Sequence, residues 1–230
     1  MNEKHPQNRN LNLTTDGDLF GLPVLPGREA YIQEYLHRIH EVMKLAVVKH
    51  KRVTAIRFDL RFPEWMTDQD GSAITRFMES LQAKLDCDQL RRSRNGKRVY
   101  SSKMYNVWTR EQSRSHNHHY HCCIFVSRDA YLNLGSFRPV GPGFARQNMA
   151  FRIIGAWASA LRLGWQDAIG LINFPRNRVY HLDQNSEIFV FQMADLFRRL
   201  SYFAKPESKH YGLRRRRFGS SRTENQYKNN

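Results

Sequence analysis

The stretch His119-Tyr120-His121-Cys122-Cys123-Ile124-Phe125-Val126 decides how this chain is read. A β-strand turns successive side chains to opposite faces. His119, His121 and Cys123 therefore share one face, and Tyr120, Cys122, Ile124 and Val126 share the other. The second set is the more apolar and is expected to pack beneath helices, which leaves the imidazoles looking over an open sheet face. Two neutral imidazoles on one face can hold a divalent cation. A second strand reads over 104–111, and the polar loop 112–118 returns the chain antiparallel, so Glu111 stands beside the histidines. Two imidazoles and a carboxylate suit Mn²⁺, Mg²⁺ or Zn²⁺, with Asp59 as a second candidate carboxylate. Other readings stay open at this point. His116 and His118 make the loop a His-rich surface segment that binds metal adventitiously or not at all. A structural Cys/His zinc site is weaker, because adjacent Cys122 and Cys123 point to opposite faces and no Cys-x-x-Cys pair exists.

Outward from this strand, residues 53–62 alternate. Ile56, Phe58, Leu60 and Phe62 face one way, Arg57, Asp59 and Arg61 the other, and Pro63 ends the run. Apolar residues at spacings of three and four predict helices over 28–49 (Ile32, Leu36, Ile39, Met43, Val47), 72–85, 145–163 and 187–204. Segments 171–174 and 178–182 offer short strands, and 137–143 is a Pro/Gly loop. The basic stretch 89–103 carries the turn signal Asn95-Gly96. The order α, β, α, β, β, α, β, α predicts an α+β fold, an antiparallel central sheet with helices packed on one face, close to a ferredoxin-like or RNA-recognition-motif-like layout. Residues 1–27 read as a disordered lead, 28–206 as the folded domain, and 207–230 as a basic flexible tail whose Arg214, Arg215, Arg216 and Arg217 grip phosphates.

The chain has 230 residues, 37 of them Lys or Arg against 21 Asp or Glu, for a formal charge of +16. A polyanion is the expected partner, although a basic ribosomal or merely soluble protein would share that charge. Its 3 cysteines, few, odd in number and two of them adjacent, argue against a secreted disulfide framework. Neither a signal peptide nor an apolar run of membrane length is visible, so a cytoplasmic protein with no membrane partner is expected.

Tyr202 lies off the apolar stripe of the last helix, among Asp195, Arg198, Arg199 and Lys205. A phenol among cations is natural beside a phosphate. Its ordinary pKa near ~10 means that attack at neutral pH needs help, which Lys205, one turn on, can supply. A snorkelling surface tyrosine would look the same by itself.

Phe58-Asp59-Leu60-Arg61-Phe62-Pro63, His119-Tyr120-His121 and Tyr202-Phe203-Ala204-Lys205 together resemble the first-strand, metal and nucleophile motifs of the HUH endonucleases, the single-strand nickases of rolling-circle replication. Val107-Trp108-Thr109-Arg110-Glu111-Gln112 and Arg199-Leu200-Ser201 before Tyr202 resemble, more closely, the inovirus-type replication initiators of filamentous phages and prophages. The likeness spans 53–218. It implies a rolling-circle initiator that nicks single-stranded origin DNA through a 5′-phosphotyrosine. His119, His121 and Glu111 would hold Mn²⁺ or Mg²⁺, with Zn²⁺ ranked behind them. Tyr202 would attack, Lys205 would offset charge, and Arg57, Arg61, Arg198 and Arg214 to Arg217 would hold the DNA backbone. Host helicase and polymerase in the bacterial cytoplasm would be partners, since no phosphate-loop motor motif is present. The larger rolling-circle initiators use two tyrosines, and this chain offers one candidate. A single-tyrosine transposase or relaxase, and a non-catalytic nucleic-acid-binding protein using a basic aromatic sheet face, are the alternatives.

Overall fold

Strand β8 (His119–Ser127) lies at the centre of a six-stranded sheet. On either side pair β6 (Arg52–Leu60) and β7 (Tyr105–Glu111), and β10 (Val179–Asp183) and β11 (Phe218–Ser220) form the outer edges. β9 (Ile172–Asn173) also pairs with β6, and every pairing is antiparallel. The computed structural model describes residues 3–27, 30–66, 71–101, 103–112, 117–136, 147–207, 209 and 216–222. The sheet is antiparallel as the alternating pattern required. Among the described residues no helix is long and apolar enough to cross a membrane.

Helices cover both faces of the sheet, not one. Ile56, Phe58, Leu60, Trp108, Tyr120, Cys122, Ile124 and Val126 pack under α2 (Ala73–Arg94) and α3 (Met149–Leu161). Val53, Ala55, Val107, Cys123, Phe125 and Leu182 pack under α1 (Gln33–His50) and, beyond the four-residue α4 (Trp165–Ala168), α5 (Phe189–Leu200). The expectation of an open face failed because polarity changes along the second face rather than across it. One end is apolar and is covered. The other carries Asp59, Glu111, His119 and His121.

Several boundaries also moved, each for a physical reason. The lead is ordered: β1 (Glu3–His5) and β2 (Asn8–Thr14) form a hairpin, and β2 also pairs with β5 (Tyr31–Ile32). Between them, β3 (Asp18–Leu19) and β4 (Leu22–Pro23) pair, and buried Leu22, Val24 and Tyr31 join the core of the second face. Leu25 N–H donates to Ser201 Oγ at 2.9 Å, tying this segment to the end of α5. α2 continues to Arg94 although its apolar stripe ends at Leu85, because buried Asp88 accepts from Arg91 at 2.6 Å and Arg92 at 3.0 Å and pairs with Arg152 of α3 at 2.5 Å. α3 starts at Met149, where the Asn148 side chain caps Phe151 N–H at 3.1 Å; the loop 137–143 lies outside the described residues. α5 ends at Leu200 and tightens into a 3-10 turn over Ser201–Ala204.

Where it is described, the tail is docked on the domain. β11 pairs with β7, and the Arg217 carbonyl accepts from Arg110 N–H at 2.8 Å and Thr109 Oγ1 at 3.1 Å. The Phe218 ring stacks on Tyr35 of α1 with centroids 4.3 Å apart. Arg214 and Arg215 lie outside the described residues. Gly219 pairs with buried Trp108, and a Cβ at Gly219 would collide with the indole ring. Gly219→Ala should therefore push β11 from the sheet edge and lower stability by about 1–3 kcal/mol. Urea unfolding of the full chain measures this, and an unchanged midpoint would contradict the docking of β11.

Candidate active site

Register sets the site. Glu111 pairs with His119, while Thr109 and Asp59 flank His121 from the two neighbouring strands. Period two then turns Asp59, Glu111, His119 and His121 to one face. His119 Nε2 and His121 Nε2 lie 3.1 Å apart, and Glu111 Oε2 lies 3.3 Å from His121 Nε2. One donor atom from each of Glu111, His119 and His121 falls within 4.8 Å of the others.

Asp59 stands behind this cluster rather than in it. Its Oδ1 is 2.7 Å from His121 Nδ1, and its Oδ2 accepts from Asn173 Nδ2 at 2.8 Å. A carboxylate on Nδ1 fixes that nitrogen as the proton donor and leaves Nε2 to face the cluster, the usual support of a metal-binding histidine. The donor set of two imidazole nitrogens and a carboxylate thus fits a divalent first-row cation. His118 does not join it. That ring lies on the other face, with Nδ1 2.9 Å from Arg110 Nη2, and His116 lies outside the described residues.

The electrostatics are those of a dense ion cluster. Burial disfavours the Glu111 carboxylate, but His121, Lys209 and Lys205 outweigh it and hold the group down at about 2. Burial, reinforced by His121, lowers His119 to about 4, so its ring is neutral at pH 7. His121 moves the other way: burial opposes its charge, and Asp59 and Glu111 more than offset that.

The 3-10 turn Ser201–Ala204 brings Tyr202 and Lys205 over the same face. Phe203 and Ala204 are fully buried, so the turn is anchored by packing. Lys205 Nζ donates to Tyr202 Oη at 2.6 Å and pairs with Glu111 Oε2 at 3.0 Å. The Tyr202 ring meets His121 edge-on at 5.4 Å. Burial opposes the Lys205 charge, yet Tyr202 and Glu111 raise its pKa. All five residues named from the sequence as metal ligands, nucleophile and charge helper are therefore brought together.

Two participants were not legible in the sequence. Asn173 comes from the two-residue β9, too short to show a pattern. Lys209 lay in the supposed tail. It is buried, its Nζ is 3.8 Å from Glu111 Oε1, and it donates to the Lys205 carbonyl. Burial lowers its pKa to about 8.

The arginines expected on DNA divide. Arg61 is exposed, and its charge reaches His119. Arg198 is exposed on α5, whereas its neighbour Arg199 turns partly inward. Arg57 is buried under Phe203, with Cζ 5.7 Å from the ring centroid. Arg216 is exposed, but Arg217 is 4% exposed and is held at the sheet edge, so the tail does not present four free arginines.

These features define an α+β protein whose antiparallel sheet carries a His/Glu cluster faced by a tyrosine–lysine pair. The chain belongs to the family described as the YagK/YfjJ C-terminal domain, whose model matches residues 14–221, from β2 through β11. It is 36% identical over 203 residues to the uncharacterized protein YagK of Escherichia coli (strain K12), covering 84% of this chain and 95% of that one. It is 29% identical over 204 residues to the uncharacterized protein YfjJ of the same strain, covering 84% and 96%. No solved structure matches it.

If the cluster holds a cation, Asp59→Asn should weaken Mn²⁺ binding about 10–100-fold without touching a ligand atom, because a neutral amide still accepts from His121 Nδ1 but no longer supplies the negative charge that raises the basicity of the ring. His119→Ala should remove binding altogether. Calorimetric titration of Mn²⁺ into each variant checks both, and wild-type affinity in His119→Ala would dissolve the site.

Proposed function

We propose that this protein is a metal-dependent nickase of single-stranded DNA that works through a 5′-phosphotyrosine. The observation that carries the reading is the contact of Lys205 Nζ with both Tyr202 Oη at 2.6 Å and Glu111 Oε2 at 3.0 Å. It couples a nucleophile-type hydroxyl to the carboxylate of the His/Glu cluster through one cation.

Glu111, His119 and His121 would hold the metal, with Asp59 and Asn173 fixing the orientation of His121. A divalent cation there supplies charge stabilisation to the phosphoryl oxygens. The nitrogen-containing donor set suits Mn²⁺ better than Mg²⁺, which prefers oxygen ligands alone. Tyr202 Oη attacks phosphorus, an O–P bond forms to the tyrosine, and the P–O3′ bond breaks. Net, the phenolic proton is lost to solvent and the leaving 3′ oxygen gains one, giving a free 3′-OH. Lys205, kept protonated by Glu111 and Tyr202, holds the phenolate during attack. Reversal of the step, with a 3′-OH attacking the phosphotyrosine, reseals DNA and needs no second tyrosine.

The resemblance to inovirus-type initiators supports a role in starting rolling-circle replication at an origin in the bacterial cytoplasm, with host helicase and polymerase continuing from the 3′-OH. The binding-module reading drew on an open basic, aromatic sheet face; the apolar end of that face is covered by α1 and α5, which leaves its polar end with the His/Glu cluster.

Tyr202→Phe should abolish the covalent protein–DNA adduct formed with labelled single-stranded origin DNA and Mn²⁺ on a denaturing gel. Stability should fall by no more than about 1 kcal/mol, since Lys205 keeps Glu111 as partner. Lys205→Ala should slow adduct formation about 10²–10³-fold without eliminating it. An adduct that persists in Tyr202→Phe would remove Tyr202 from the reaction. No adduct in the wild type with any single strand would remove the nickase reading itself.

A further inference from the structure

Arg57 sits at the boundary between the apolar and polar halves of the second sheet face and is 4% exposed. Its Nε and Nη1 are buried without a hydrogen-bond partner, and so is Nε of Arg199 on α5. The two guanidinium groups are close enough that Arg199, after burial itself, is the main influence lowering the Arg57 pKa.

No group nearby accepts a hydrogen bond from these nitrogens. Burial pushes the Cys123 thiol up to about 12, so it carries no charge at pH 7. Burial also raises the pKa of the Tyr180 phenol, which stays neutral. Asp59 attracts the Arg57 charge, but its two oxygens are taken by His121 and Asn173, and Asp195 is exposed. An arginine cannot escape by deprotonation, and a buried guanidinium without a partner costs several kcal/mol, roughly the effective penalty per desolvated ion. An anion would complete the buried Arg57 together with the unpaired Nε of the partly buried Arg199.

Their position gives the anion a role. The Phe203 ring has Arg57 on one side, 5.7 Å from its centroid, and stacks on His121 at 6.2 Å on its own account. The arginine pair therefore stands about one aromatic ring from the metal-ligand cluster. Arg199 and Tyr180 are only partly buried, on α5 and on the edge strand β10, so the side of the pair nearest solvent lies at these two residues. Two forked guanidinium groups match the charge and the oxygen geometry of a phosphate.

We propose that Arg57 and Arg199, beside Tyr180, form a second phosphate subsite that takes the phosphodiester neighbouring the one cut. The anion class follows from the arginine pair alone; its identity as a DNA phosphate rests on the nickase reading.

The test is thermal unfolding of the full chain at constant ionic strength, with chloride replaced stepwise by inorganic phosphate. Binding to the folded state alone raises the wild-type melting temperature. Arg57→Met and Arg199→Gln should each weaken the apparent phosphate affinity about tenfold, while Arg94→Gln, at the exposed end of α2, should not. Arg57→Met should melt no lower than wild type without phosphate, because it removes an uncompensated buried charge. Wild-type phosphate responses in both variants would overturn the subsite, and Arg199→Gln decides alone if Arg57→Met does not fold. A second arm measures oligothymidine binding in a Tyr202→Phe background. Adding Arg199→Gln should cut the slope of log K against log salt by about 0.7. An unchanged slope with a lost phosphate response would overturn the DNA assignment. The thermal arm involves no cleavage, so failure of the nickase reading would show in the adduct assay and leave the arginine-dependent phosphate response in place.

Discussion

The Glu111 carboxylate is the interaction on which the rest of the site depends. It lies at the end of β7, 3% exposed, and an ionised carboxylate at that depth must be paired. Its partners come from three parts of the chain: His121 from β8, Lys205 from the turn after α5, and Lys209 from the segment that leads towards β11. One buried charge thus fixes the sheet, the tyrosine turn and the C-terminal strap relative to one another. The same carboxylate faces the His119–His121 pair, so the group that organises the fold here is also a candidate metal ligand.

Pairing also explains why Lys205 and Tyr202 meet. A lysine buried beside apolar Phe203 and Ala204 would shed its proton unless anions held it. Glu111 supplies the anion, and Tyr202 Oη accepts a further hydrogen bond. The consequence is chemical. The ammonium that satisfies a structural need is aimed at the oxygen that would become a phenolate. Lys209, held against Oε1 with no route to water, contributes charge at this centre rather than to a surface arm.

The sheet itself shows how one strand face serves two purposes. Along the second face, Val53, Ala55, Val107, Cys123 and Phe125 give a hydrophobic floor for α1 and α5. The polar end is left between that floor and the edge of the helical layer. Arg57 marks the change, partnered by an aromatic ring rather than by a carboxylate. Site and core therefore share strands, and the rigidity of the core is passed directly to the histidines.

Much of this was written locally. Alternation over 53–62 and 119–126 determined the strands, the common face of His119, His121 and Asp59, and the separation of those residues from the Phe58 and Tyr120 side. Periodicity determined that helices exist, because side chains three and four apart must share a face. What it could not determine were the things set by partners distant in sequence. Asp59 stands behind the His/Glu cluster rather than in it because Asn173 and His121 converge on it. The lead and the tail looked formless because their few apolar groups, Val24 and Phe218 among them, have value only against α1, α5 and β7. α2 ran on past its stripe because Arg152, from another helix, completes the pairing of Asp88. Local sequence dictates which way a side chain points along its own element. What stands opposite it is decided only when the chain closes, and burial, pairing and charge are properties of that closed state.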